Sequence, residues 1–201
     1  MLTVVIQAGG ESRRMGQDKA LIPFRGSTLI QRVIGRVSHL ADQLLVTTNQ
    51  PEKYDFLKLP LYPDLIPGRG ALGGLYTALS AASNPLVAVI ACDMPFVSFD
   101  LLAYERDLLL ANEHDAAIPR TPGGTEPFHA VYRRLTCLPA IDASIQADLW
   151  RVDSWFSKVD VRFLMPGEVE IYDPDHLAFR NVNTPEELVE AERYAAELDQ
   201  G

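Results

Sequence analysis

A doubly wound, mostly parallel α/β sheet with helices on both faces is the fold this sequence predicts, and three observations predict it. Short apolar runs at Leu2 to Ile6, Leu44 to Thr48 and Leu86 to Ala91 read as strands buried on both faces. Helical segments separate them, and the alternation β-α-β-α-β-α selects a parallel sheet. The residues of unusual chemistry fall directly after those strands, where ligands bind in such sheets.

The elements follow in order. Leu2 to Ile6 runs into Ala8-Gly9-Gly10, so a strand ends at a glycine loop that extends through a polar segment to about Gly26. Leu29, Ile30, Val33, Ile34 and Val37 recur at helical spacing, with Ser27 or Thr28 placed to cap. After the second strand, Pro60 to Pro67 is short and extended and leads into the glycine-rich run 68–74. Leu75 to Ala82 then predicts a helix stopped by Asn84-Pro85. The third strand is followed by a helix over Leu101 to Leu110.

In the second half, Ala116 to Arg120 and Phe128 to Arg133 read as strands around a turn at Pro122-Gly123-Gly124. Helical pieces fall within Ala140 to Lys158, and Val161 to Met165 is a further strand. Thr184, Pro185 and Glu187 spell a capping box that opens an apolar-striped helix reaching Leu198. No linker, low-complexity stretch or repeat divides the chain, so residues 1–201 are expected to form one domain.

Composition narrows the function. Of 201 residues, 47% are hydrophobic and 22% charged, as in a globular protein with a substantial core. The net charge of −9 argues against broad binding to nucleic acid or to an anionic membrane. The start runs directly into a strand and not a signal peptide, and no apolar run is long enough to span a bilayer. Cys92 and Cys137 make no CxxC pair, and a reduced, cytoplasmic chain is expected. Cys92 ends an apolar run and reads as a buried structural thiol.

The stretch AGGESRRMGQDKAL, residues 8–21, carries most of the chemistry. Its glycines let backbone N–H groups approach a phosphate, and Arg13, Arg14 and Lys19 concentrate positive charge in an otherwise acidic chain. That combination suits a triphosphate whose leaving pyrophosphate must be neutralised. GxxxxGK[ST] and GxGxxG are both absent, which leaves a dinucleotide-binding dehydrogenase little support.

Asp93 emerges directly after the third strand, with Pro95 turning the chain away. A carboxylate at that edge is the usual protein ligand for Mg2+, which bridges phosphate oxygens in a nucleotidyl transfer. Asp64 stands near the same edge, where metal binding through water, a hydrogen bond to base or ribose, and a turn with Pro63 are all open. His39, His114, His129 and His176 show no ligand spacing and read as surface or packing residues.

AGGESRRMGQDKAL (8–21), GALGGL (70–75), ACDMPF (91–96), EPFHAVY (126–132) and NVNTPEEL (181–188) together resemble the molybdenum cofactor guanylyltransferases of the MobA type. The resemblance extends from end to end. It implies a single doubly wound domain that uses Mg2+ and transfers GMP from GTP to Mo-molybdopterin, releasing pyrophosphate. Carried over by position, Ala8, Gly9 and Gly10 would contact guanine and phosphates, and Arg13 and Lys19 the triphosphate. Gly70 and Gly74 would lie against the nucleotide, Asp93 would hold Mg2+, and Arg14, Asn181 and Asn183 would face the acceptor. Transient contact with molybdoenzymes or cofactor-handling proteins is implied as well. Two positions depart from the pattern: Gln7 replaces the usual leucine or similar apolar residue, and Thr47 stands where some members have asparagine. Asn49, two residues on, can face the same way along a strand. Gln7, Thr47, Asn49 and Asp64 complete the expected nucleotide-binding set.

The implied reaction is an in-line displacement driven by positioning and electrostatics. A cytidylyltransferase, or a transferase acting on a sugar or polyol phosphate, would share the fold and first loop. A non-catalytic carrier of nucleotide or cofactor is the rival of another class, and Lys19 with Asp93 weighs against it.

Overall fold

A computed structural model describes residues 1–9 and 18–198. Gly10, Arg13 and Arg14 therefore lie outside the described residues. The strands are β1 (Leu2–Gln7), β2 (Pro23–Phe24), β3 (Ser27–Thr28), β4 (Gln43–Thr47), β5 (Leu61–Tyr62), β6 (Leu86–Ala91), β7 (Ala116–Thr121), β8 (Gly124–Thr125), β9 (His129–Arg133) and β10 (Val161–Leu164). Among the described residues, all but β2 and β3 form one sheet in the order β10-β7-β9-β6-β1-β4-β5, with β8 beside β7. β5, β4, β1 and β6 are parallel, β9 is antiparallel to both its neighbours, and β10 is parallel to β7. β7 thus points the same way as β1, and the start of β9 joins the edge where the parallel strands end.

Side-chain alternation divides the core into two layers. On one face Val4, Ile6, Val46, Ala88 and Ile90 pack with residues of α1 (Leu29–Val37) and α3 (Phe99–Ala111). On the other, Val5, Leu45, Val87 and Val89 pack with α2 (Gly70–Ala81) and α4 (Arg134–Gln146). This is the doubly wound arrangement that the alternation predicts. The short helix α5 (Pro166–Val169) and the closing helix α6 (Pro185–Leu198) follow. No described helix is long and apolar enough to cross a membrane.

The caps form as the sequence indicates. Thr28 and Gln31 make a reciprocal capping box at α1. At α6 the Glu187 N–H donates to Thr184 Oγ1 at 3.2 Å, while the Thr184 N–H donates to Glu187 Oε2 at 3.1 Å.

Two helices start earlier than expected. α2 begins at Gly70 and not at Leu75, because the glycines that suggest a loop serve close packing: a Cβ on Gly73 would stand 3.1 Å from the Ile66 carbonyl oxygen. α4 begins at Arg134 and carries Pro139 inside it. Residues 23–26, read as part of the first loop, and 27–28, read as cap positions, form a β2–β3 hairpin.

His129 is a core residue with a polar environment. Its Nε2 accepts the Ser98 backbone N–H at 3.2 Å, so the ring proton is on Nδ1, 3.3 Å from Glu105 Oε1. Both side chains are fully buried. Burial lowers the His129 pKa to about 4 and raises that of Glu105 well above the usual carboxylate range.

The two groups affect stability in opposite directions. Between about pH 4 and 6.5 unfolded His129 binds a proton that the folded chain refuses, so its contribution is lost as pH falls. Folded Glu105 keeps its proton above the ordinary value of 4.5, so its contribution is lost as pH rises. Glu105→Gln removes only the second effect. Its stability relative to the native chain is expected to rise from pH 4.5 to 6.5 by up to about 1.4 kcal/mol per pH unit, read by urea unfolding. A difference independent of pH contradicts the assignment.

Candidate functional site

The carboxyl edge of the sheet opens into a cleft of about 860 Å³. Its floor is built by register. Gln7 pairs with Thr47 on one side and Ala91 on the other, and all three lie on the α2 face, as Val5, Leu45 and Val89 do two residues earlier. Phe128 joins them from the start of β9, its carbonyl accepting the Ala91 N–H at 3.0 Å. Ala8 and Gly9 continue from β1, and the Ala8 N–H donates to Thr47 O at 2.8 Å.

The wall on one side is the start of α2. Gly68 and Gly70 both adopt positive φ, +76° and +60°, so the chain enters the helix by a path that disfavours a side chain. The Arg69 side chain does not cap α2. The first N–H groups of a helix lack helical partners, and here Gly70 and Ala71 line the cleft. Asn49 and Asp64, also in the lining, hold each other: Asn49 Nδ2 donates to Asp64 Oδ2 at 2.7 Å, and the Asp64 N–H donates to Asn49 Oδ1 at 2.9 Å. A Cβ on Gly9 would lie 3.7 Å from that carboxylate. The paired hydrogen bonds tie Asp64 to the segment that follows β4, beside Gly9.

The charged end of the site is formed by three distant parts of the chain. Asp18 opens a short helical turn by accepting the Ala20 N–H, and buried Tyr54 fixes it by donating to Oδ2 at 2.8 Å. That turn presents Lys19, whose Nζ lies 2.5 Å from Asn183 Oδ1 and 3.7 Å from Asp93 Oδ2. The closing segment is held by the Val182 N–H donating to Asp93 O at 2.9 Å and the Asn183 N–H donating to Glu187 Oε2 at 2.6 Å.

Burial raises the pKa of Asp93, and Lys19 is the largest influence opposing it. Among the described residues the carboxylate is therefore incompletely compensated, and a hard cation is a partner that would complete it. Among the described residues no group of three or more His, Cys, Asp or Glu forms a metal cluster. Mg2+ held by Asp93 would supply positive charge at this end of the cleft.

Gln7, Ala8, Gly9, Lys19, Thr47, Asn49, Asp64, Gly70, Gly74 and Asp93 all line this cleft. Asn183 meets Lys19 at its edge, whereas Asn181 is exposed and makes no part of the lining. Val182 between them is buried. Cys92 is half-buried and lines the cleft, unlike the sealed core thiol expected, because it lies just past the end of β6. Burial still pushes its thiol pKa up, with Asp93 next in effect. Tyr54 and Asp18 were not singled out from sequence; the QDK spacing in the first loop is the signal that points to Asp18.

A match to the MobA-like NTP transferase domain covers residues 4–159. The chain belongs to that family. It is 36% identical over 189 residues to a probable molybdenum cofactor guanylyltransferase of Pelotomaculum thermopropionicum, covering 94% of this chain and 91% of the relative. It is 33% identical over 191 residues to one from Peptoclostridium acidaminophilum, covering 92% and 86%. Among solved structures, the molybdopterin-guanine dinucleotide biosynthesis protein A of Archaeoglobus fulgidus superposes with a TM-score of 0.82 at 24% identity, covering 97% of this chain and 99% of that one. Membership makes this MobA-like chain a nucleotidyltransferase.

The glycines yield a paired prediction. Nothing blocks a Cβ at Gly70 or Gly35, but Gly70 has φ +60° and Gly35 lies inside α1. Gly70→Ala is expected to cost about 1–2 kcal/mol, and Gly35→Ala to stabilise by about 0.5–1 kcal/mol. Urea midpoints read both, and equal signs contradict the backbone argument.

Proposed function

We propose that this chain transfers GMP from GTP to the terminal phosphate of Mo-molybdopterin, in the presence of Mg2+, with release of pyrophosphate. The observation that carries the reading is the Lys19–Asp93 pair, with a nitrogen–oxygen separation of 3.7 Å, at the charged end of a glycine-walled cleft. The names borne by relatives at 33% and 36% identity supply the base and the acceptor. The two free thiols, Cys92 and Cys137, accord with a cytoplasmic setting.

The base and ribose occupy the part of the cleft between α2 and the Asn49–Asp64 pair, where a carboxylate would repel phosphate. The triphosphate extends toward Lys19, with Arg13 and Arg14 of the first loop assigned to it and to the acceptor. Asp93 would hold Mg2+, which would supply positive charge to the phosphate oxygens. An oxygen of the acceptor phosphate attacks the α-phosphorus, forming a new P–O bond. The bond from that phosphorus to the β-phosphate oxygen breaks, and its electron pair leaves with pyrophosphate. The acceptor phosphate is ionised at neutral pH, so no general base is required. Lys19 stabilises charge developing on the phosphates, and Asn183 and Asp18 keep it in position.

Pyrophosphate release with Mo-molybdopterin and each of GTP, CTP, ATP and UTP tests the reading. GTP is expected to be the efficient donor, and equal or better use of CTP overturns the guanylyl assignment. Lys19→Ala is expected to slow turnover on the order of 10²-fold or more, and near-native turnover contradicts the mechanism.

The pH profile tests Asp93 separately. Metal ligation needs the ionised carboxylate, and burial raises the Asp93 pKa above its ordinary 3.8, so activity falls on the acid side through that raised value. Raising Mg2+ is expected to move this limb to lower pH, because cation and proton compete. A limb that stays fixed contradicts the assignment.

A further inference from the structure

The middle of the cleft floor is occupied by a residue with hydrogen-bonding capacity that the protein does not use. Gln7 Nε2 is buried and has no partner among the described residues. Strand register sets the side chain between Thr47 and Ala91, on the face toward α2. Gly74 leaves it room in this position: a Cβ there would stand 2.9 Å from Nε2 and 3.4 Å from Oε1. The amide thus fills the space of a missing methyl, and among the described residues its buried nitrogen meets no acceptor.

A buried amide nitrogen left without an acceptor is unfavourable, whereas a leucine in the same place would leave nothing unpaired. The cost is removed if a ligand supplies the partner. Gln7 already lines the cleft, and rotation about its last side-chain torsion, broad for glutamine, sets which of Nε2 and Oε1 faces the ligand. At this end of the cleft, Asp64 and the neutral floor favour a planar base over phosphate.

We propose that Gln7 is a specificity-determining residue that reads the guanine edge, its Nε2 donating to O6 and its Oε1 accepting from the N1–H. The assignment rests on the GTP reading above and adds the group that recognises the base. The pair is bidentate and desolvated, so losing it weakens binding about tenfold.

The test is a ligand-by-variant cycle read by calorimetric titration with Mg2+. The ligands are GTP, ITP and 2-aminopurine riboside triphosphate; ITP keeps O6 and the N1–H, and the last lacks both. In the native chain ITP is expected to bind nearly as well as GTP, and the 2-aminopurine nucleotide about tenfold more weakly. In Gln7→Leu that gap is expected to close, with GTP falling to the level of the analogue. Gln7→Met, close to glutamine in length, provides the same comparison if the leucine variant packs poorly. A gap that persists in a folded variant overturns the proposal while leaving the guanylyl reading intact. A native chain that binds CTP as well as GTP overturns the guanylyl reading, and the O6 assignment with it.

Discussion

The placement of Lys19 between Asp93 and Asn183 is the interaction on which the rest of the site depends. It joins the turn after the first loop, the end of the central strand β6 and the segment that opens α6, residues separated by as many as 164 positions. Each partner is braced in turn: Asp18 by Tyr54, the Asp93 backbone by Val182, and Asn183 by Glu187. The ammonium is thereby positioned before any ligand arrives, which is the condition under which a fixed charge lowers a barrier without reorganisation. The closing capping box therefore has two roles. It starts a helix, and it fixes the asparagine that aims the lysine.

The same arrangement explains the electrostatic imbalance of Asp93. Its side chain is only 19% exposed, and desolvation outweighs the help it receives from Lys19. A carboxylate in this condition favours a proton or a cation over remaining bare. The opposite end of the cleft is arranged by backbone instead of charge: Gly70 turns the chain into α2, and Gly74 leaves room for the Gln7 amide. The two ends suit the two halves of a nucleoside triphosphate, one charged and one planar.

The strands and the layer order were legible because buried parallel strands are continuous apolar runs; Leu86–Ala91 coincides with β6 residue for residue. The caps at Thr28 and Thr184 were legible because their partners lie three residues away. The start of α2 was not, since glycines that permit close packing look the same in sequence as glycines that permit turns. Part of the lining of the cleft was readable from motifs, down to Gly70 and Gly74, whereas Asp18 and Phe128 were not singled out. The bracing by Tyr54 was hidden because it crosses 36 positions to Asp18 and leaves no local pattern. The same holds for Glu105 and His129, although the spacing of Leu101, Leu102, Glu105 and Leu109 puts that glutamate on the buried stripe of α3.

The most direct test of the account is calorimetric titration of GTP with and without Mg2+, on the native chain and on Asp93→Asn. If Asp93 is the attachment point for the cation, Mg2+ tightens GTP binding to the native chain and adds little to the variant, which still binds metal-free GTP. An equal enhancement by Mg2+ in both would contradict the assignment and move the cation away from the centre of the site.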